Sequence, residues 1–486
     1  MKLMHCVMAL LLMCGNARVG YAQRVLYSDY QSFDLRSGDF SVVGKVGSKL
    51  YTFRAGSDGA FLDAYSDSMT HLATVVLDFF PKRIYASKFV VSGDRITVLY
   101  QGVDGRTVTQ HAALLDGDGR LLKGPVKLDE ARTGIFGANK DYFASAVSED
   151  KKRTLVYSLN PEGRTLEFKG VVLDENLTVL RRPRASYKAE DDVAAGEAVI
   201  TNTGSIYVPA FTQTGGKDFA DRLWALKLND SANRFQPVAI PLNERFTGVP
   251  VVKVDNVNGR IYVAGFYSDK KAGNYDGVLF SSVSTADNSI LLQKTMPFDD
   301  RLRTATGDRS IRRAFNDYQV RQLVVKNDGG FVLVSEDYYL SMRSGYTPGW
   351  GYYSFYYTPF MTTPQVREYH YGDVLALSYN ADGTLEWPAF VRKEQYSQED
   401  GGLFSSYALL NTGGSLGFLF NDFNRSRSTI QLATIDAAGK SDIRSCGLGG
   451  QQEPDWLPRS AKQVGSRELV VPCLRRKQLC FAKVIF

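Results

Sequence analysis

The sequence predicts an all-β protein: a β-propeller of four-stranded antiparallel blades, eight in number, with seven as the alternative. Three observations predict it. Short apolar strands alternate with Gly-, Asn- and Asp-containing turns along almost the whole chain, and helix signals are nearly absent. A two-part unit recurs, first a strand, a polar turn and a second strand ("FVVSGDRITVLY", "VVKVDNVNGRIYVAGF", "LVVKNDGGFVLVSE"), then a strand, a tight bend and a further strand ("HAALLDGDGRLLKG", "DVLALSYNADGTLEW"). Landmarks in the second strands, Leu50, Ile96, Tyr142, Ile206, Ile261, Phe331, Leu416 and Leu469, are 46, 46, 64, 55, 70, 85 and 53 residues apart, which suits propeller blades with insertions better than solenoid coils.

The first 22 residues stand outside this pattern. Lys2, the apolar run "CVMALLLMC" and small residues Gly20 and Ala22 before Gln23 read as a secretory signal peptide, since so short a run cannot span a bilayer. The expected mature chain is 23–486, one propeller domain in the periplasm or outside the cell. The alternative is a lipoprotein anchored through Cys14, but Met13 stands where a lipoprotein box has a small residue.

Within the units, "LDGDGR", "LNPEGR", "YNADGT" and "IDAAGK" mark the bend between third and fourth strands, where Asp or Asn accepts from the turn backbone and Gly supplies positive φ. The third unit, around "TLEFKGVVLDENLTVLRR", is the hardest to register. The last ends at "LCFAKVIF" without an outermost strand, and "QRVLYSDY" at the mature N-terminus is predicted to supply it and close the ring. A pair of β-sandwiches would also show many short strands, but not the same unit eight times over.

Loss of Lys2 and Arg18 leaves 56 basic against 52 acidic residues, a balance of +4 that selects no polyanionic partner. The basic clusters "RRPR" and Arg301 to Arg313 lack a nucleic-acid motif. Cys446, Cys473 and Cys480 remain after cleavage. An oxidising compartment permits a bond between Cys473 and Cys480 across a hairpin tipped by Arg475, Arg476 and Lys477, with Cys446 as a competitor.

Three histidines, His71, His111 and His370, show neither metal-ligand spacing nor a nucleophile motif, so no metal and no cofactor is expected. "LDGDGR" and "DNVNGR" lack the spacing and terminal Glu of a calcium loop. Most distinctive is 338–371, where twelve of 34 residues are aromatic. Inserted in the sixth unit, it would form either a binding lip of Trp350, Tyr352, Tyr353, Tyr356 and Tyr357 or a self-packed cap. "KEQYSQEDGGLFSSY" adds Gln395 and Asp400 as candidate ligand-binding residues on the connection between the sixth and seventh units.

The phrases "VVLDENLTVL", "NGRIYVAGFY" and "DVLALSYNADGTLEW", with "KEQYSQEDGGLFSSY", give a chain that resembles exported β-propeller-like proteins of Gram-negative bacteria over almost its whole mature length. The resemblance implies fold and export and brings no activity with it. The sequence reading is therefore a monomeric, non-enzymatic binding or scaffold protein whose partner is a protein or glycan at the cell envelope. Its alternative is a carbohydrate-active hydrolase or lyase with acids in the central channel, which needs two carboxyls about 5–10 Å apart.

Overall fold

In the computed structural model, the described residues are 24–82, 84–132, 142–212, 219–229, 233–307, 314–344, 365–424, 427–446 and 454–486. They form eight antiparallel sheets, each a blade of four consecutive strand positions ordered from the ring axis outward. Blade 1 runs Asp39–Val46, Lys49–Gly56, Gly59–Tyr65 and His71–Val76, and blade 2 runs Ile84–Ser92, Arg95–Asp104, Thr107–Leu115 and Leu121–Arg132. The innermost strands of blades 3 to 8 are Ala144–Val147, Val199–Ile200, Val251–Asp255, Tyr318–Val325, Tyr407–Asn411 and Lys462–Gly465. A single described α-helix, Asp300–Ala305, is capped by the Asp299 side chain accepting from Leu302 N. No described helix is long and apolar enough to cross a membrane.

The ring is held by what lies between blades. Side chains alternate between the two faces of a strand, and both faces of every sheet are covered by neighbouring blades, so the inner strands are apolar almost throughout. Along one strand of blade 6, Phe331 and Leu333 pack towards blade 5, whereas Val332 and Val334 pack towards blade 7. Among the described residues eight apolar clusters result, one at each blade interface, including that between blades 8 and 1.

Closure follows the sequence expectation. Arg24–Tyr27 is the outermost strand of blade 8, with Arg24 opposite Ile485 and Tyr27 opposite Ala482. Tyr27 meets the buried Trp456 edge-on at 6.1 Å. The bend between third and fourth strands is a recurring cap: Oδ1 of Asp116 accepts from N of Asp118 and Arg120, that of Asp174 from Asn176 and Thr178, and that of Asp436 from Ala438 and Lys440, all at 2.7–3.0 Å. "LNPEGR" does not share this place: it turns between the second and third strands of blade 3, because that blade is shifted in register.

Seven of the eight landmarks lie in second strands; Tyr142 does not. It precedes the innermost strand of blade 3, and the second strand there is Arg153–Glu162. The register was misplaced because that blade begins with only four paired residues, Ala144–Val147, and spreads its outer edge over two short strands, Val179–Arg181 and Arg184–Lys188.

The aromatic insertion lengthens the second and third strands of blade 6 to Phe331–Ser344 and Gln365–Tyr379. Residues 345–364, with the proposed lip of Trp350, Tyr352, Tyr353, Tyr356 and Tyr357, lie outside the described residues, as do residues 1–23 with the expected leader.

Candidate functional site in the central channel

Innermost strands have no neighbour on the axial side, so their edges and the side chains of the turns that follow them surround the channel. At the mouth formed by those turns, five blades line a cavity of about 260 Å³. Its wall includes Glu149 of blade 3, Lys253 of blade 5, Gln322 and Asn327 of blade 6, Asn411 of blade 7 and Gln463 of blade 8. Several of these groups are fixed by bonds between blades. Gln463 Nε2 donates to Asn411 O (2.8 Å) and its Oε1 accepts from Asn411 N (3.0 Å). Asn256 Nδ2 donates to Glu149 Oε2 (2.8 Å), while Asn256 Oδ1 accepts from Asn202 N (2.9 Å). The rim therefore presents amide and charged groups in set positions, the preorganisation on which polar recognition depends.

A second polar centre lies at the blade 6–7 seam and is closed to solvent. Glu336 and the Lys393 ammonium, both buried, pair at 2.8 Å. Glu336 also accepts from Ser406 Oγ at 2.9 Å and from Arg321 Nε at 3.2 Å. Gln395, a residue singled out from sequence, belongs here. Its Oε1 accepts from Ser406 N (2.8 Å) and Lys393 Nζ (3.1 Å), and its Nε2 donates to Asn421 O (2.7 Å). The amide is thus spent on joining blades. Asp400 closes a loop, its Oδ1 accepting from Ser397 Oγ at 2.7 Å and Gly402 N at 2.8 Å. The stretch Gln395–Gln398 is itself a strand that pairs with Glu368–Tyr371 on the lengthened hairpin.

Beside this centre Asp337 lies close to Asp317 and Asp373. Burial first, then the charges of those two carboxylates, raise its carboxyl to about 6. The buried Tyr318 hydroxyl, near Asp373 and Asp337, is pushed up by the same causes. His111 stacks on Tyr100 at 5.1 Å and burial lowers it, the packed role its strand position suggested. Cys473 faces Cys480 in register across the hairpin, and Cys446, Cys473 and Cys480 are all buried without a disulfide between them.

Sequence reasoning missed the channel groups. Lys253, Gln322 and Gln463 fall inside short strands, and nothing local distinguishes an axial edge from a solvent face. It also missed a groove of about 480 Å³ between blades 3 and 4, where Tyr187 and Trp224 lie 5.6 Å apart between centroids beside Glu190 and Arg222. Those two aromatics are far apart in sequence and belong to different blades.

No protein-family model matches the chain, and no curated protein sequence does. Among solved structures the matches are of low identity. The apo form of prolyl oligopeptidase B from Galerina marginata matches with 12% identity and a TM-score of 0.43, over 91% of this chain and 56% of that one. This chain thus spans little more than half the length of that peptidase. An ulvan lyase of polysaccharide lyase family PL25 matches with 10% identity and a TM-score of 0.39, over 81% and 90% of the two chains. The dihydro-heme d1 dehydrogenase NirN, in complex with DHE, gives 13% and 0.37, over 90% and 69%. These likenesses bring no activity to the chain.

Proposed function

We propose that the protein is an exported, non-enzymatic binding module that holds a glycan, or a polar protein segment, at the channel mouth on the cell envelope. The observation that carries this reading is the convergence of amide and charged side chains from five blades on one cavity. A sugar hydroxyl both donates and accepts, and an Asn or Gln amide offers both partners on one flat group. Set on a rigid ring, such groups lose little freedom on binding. Export rests on the leader-like first 22 residues.

A glycan array probed with the purified mature chain tests the proposal, beside a panel of chromogenic glycosides. The double variant Gln322→Ala, Asn327→Ala is expected to weaken capture by about tenfold or more, roughly 1.4 kcal/mol, with the melting temperature unchanged because both side chains are exposed. Capture equal to wild type would remove the mouth as the site. Glycoside turnover lost on replacing one channel carboxylate would favour the hydrolase or lyase reading instead.

A further inference from the structure

Around the same channel, lysines from three blades approach one another. Lys462, on the innermost strand of blade 8, reaches across the edge of blade 1, where its Nζ donates to Val43 O at 2.8 Å, and on to blade 2, where it donates to Phe89 O at 3.3 Å. Lys88, the residue before Phe89, reaches the other way to Ser145 O of blade 3 at 2.9 Å. Lys151 stands on the turn after that blade 3 strand, near enough for its charge to act on Lys462. Lys88 and Ser145 also line a cavity of about 290 Å³ with Glu197 of blade 4.

These ammonium groups cap edge carbonyls, and that accounts for part of their bonding. It leaves two things over. An ammonium has three donors; Lys462 uses two of them on Val43 O and Phe89 O, and Lys88 one on Ser145 O. Their charge is also unbalanced, because among the described residues no carboxylate lies within ion-pair distance of Lys88, Lys151 or Lys462. Two fully buried lysines in blades 8 and 6 are treated differently, although buried Lys227 is, like Lys462, capped by a backbone carbonyl, Thr285 O at 2.6 Å. Lys483 has Asp67 at 2.6 Å and Glu468 at 2.8 Å, and Lys393 has Glu336 at 2.8 Å. Burial, then the charges of Lys151 and Lys88, lower Lys462 to about 8. Cations gathered in a partly enclosed channel with no carboxylate in ion-pair contact attract an anion.

We infer that the channel between blades 8, 1, 2 and 3 binds an anionic group, a carboxylate, sulfate or phosphate, on Lys462 and Lys88 with Lys151 adding field. The inference goes beyond the amide mouth and holds whether that mouth takes a glycan or a peptide. Glu197 is the one carboxylate whose charge acts on Lys88, so it competes with the ligand.

Melting curves and isothermal titration of the mature chain with sodium sulfate and sodium phosphate, against sodium chloride at matched ionic strength, test it. Both oxyanions are expected to raise the melting temperature by about 2 °C or more through linked binding. Lys88→Met, at an exposed side chain, and Lys462→Met should each weaken binding by about tenfold or more. Glu197→Gln should strengthen it, and Lys188→Met, on the outer edge of blade 3, should leave it unchanged. Glucuronate set against glucose separates the source: binding of glucuronate but not glucose assigns the anion to an acidic saccharide, and binding of sulfate or phosphate alone assigns it to a free oxyanion. Either result supports the site. Absence of any anion-specific shift in wild type, or an equal shift in Lys88→Met and Lys462→Met, overturns it, whatever the glycan array reports for the mouth.

Discussion

The seam between blades 8 and 1 and the channel beside it both bury lysines, and they handle the charge in opposite ways. At the seam Lys45 and Lys483 each pair with both Asp67 and Glu468, with all four contacts between 2.6 and 2.8 Å. The hydrogen bond from Lys45, then that from Lys483, hold Asp67 down at about 2. In the channel Lys462 has backbone carbonyls and two other lysines. A buried charge repays its desolvation only with a close, well-placed partner. The seam meets that condition within the chain and so acts as a fastener; the channel leaves it to be met from outside. In these two regions, balance of charge rather than burial separates the structural lysines from those suited to a ligand.

The largest expected effect breaks the seam from its chain ends. Deleting residues 23–32 removes Arg24–Tyr27 and Gln31–Ser32 from blade 8, uncovering Gln478–Ile485 and exposing one side of Trp456. Half-buried Val25, Leu26 and Tyr27 leave with it, so stability should fall by on the order of 5 kcal/mol, read as a drop in the midpoint of urea unfolding. An unchanged midpoint would show that the ring does not depend on this strand.

Next comes a pair of substitutions of opposite sign. Glu468→Ala leaves the fully buried Lys483 with Asp67 alone and should cost about 3–5 kcal/mol. Lys462→Met removes a charge that the chain does not balance and should be neutral to stabilising, by up to about 2 kcal/mol. Unfolding both variants side by side in urea tests the contrast. If Lys462→Met destabilises as much as Glu468→Ala, the channel lysine is a fastener too.

How far the sequence displayed these two regions follows from where their information lies. Blade number, the outer bends and the closing strand rest on patterns within about 15 residues, such as "LDGDGR" with Asp116 as its cap, or "QRVLYSDY" as the missing edge. The seam and the channel rest on residues far apart in the chain: Lys45 meets Glu468, and Lys462 meets Val43. Nothing local marks these partnerships. Gln395 shows the converse. Its polar neighbourhood was visible in the sequence, but the hydrogen bonds to Ser406 and Asn421 that engage its amide exist only once blades 6 and 7 pack together.

The smallest expected effect sharpens the comparison by reversing its sign, since Asp337 is to the carboxylates what Lys462 is to the lysines. Burial and the neighbouring Asp317 and Asp373 raise its carboxyl to about 6, with Lys393 opposing them and Glu336 adding to them; Tyr318 and Arg392 complete the surroundings. An unfolded Asp titrates near 3.9. Between about 4 and 6 the folded protein therefore holds more protons than the unfolded chain, so stability falls as pH rises through that window and then levels off. With part of the field screened by solvent, the loss is on the order of 1–2 kcal/mol. Asp337→Asn cannot ionise, so this component of the slope between pH 4 and 6 should vanish and the variant should melt above wild type at pH 7. Melting curves of both proteins at half-unit steps from about pH 4 to 7 read this directly. Parallel curves would mean that the Asp337 carboxyl is balanced by its surroundings as fully as Glu336 is by Lys393, and the contrast between balanced and unbalanced charge would then be confined to the lysines.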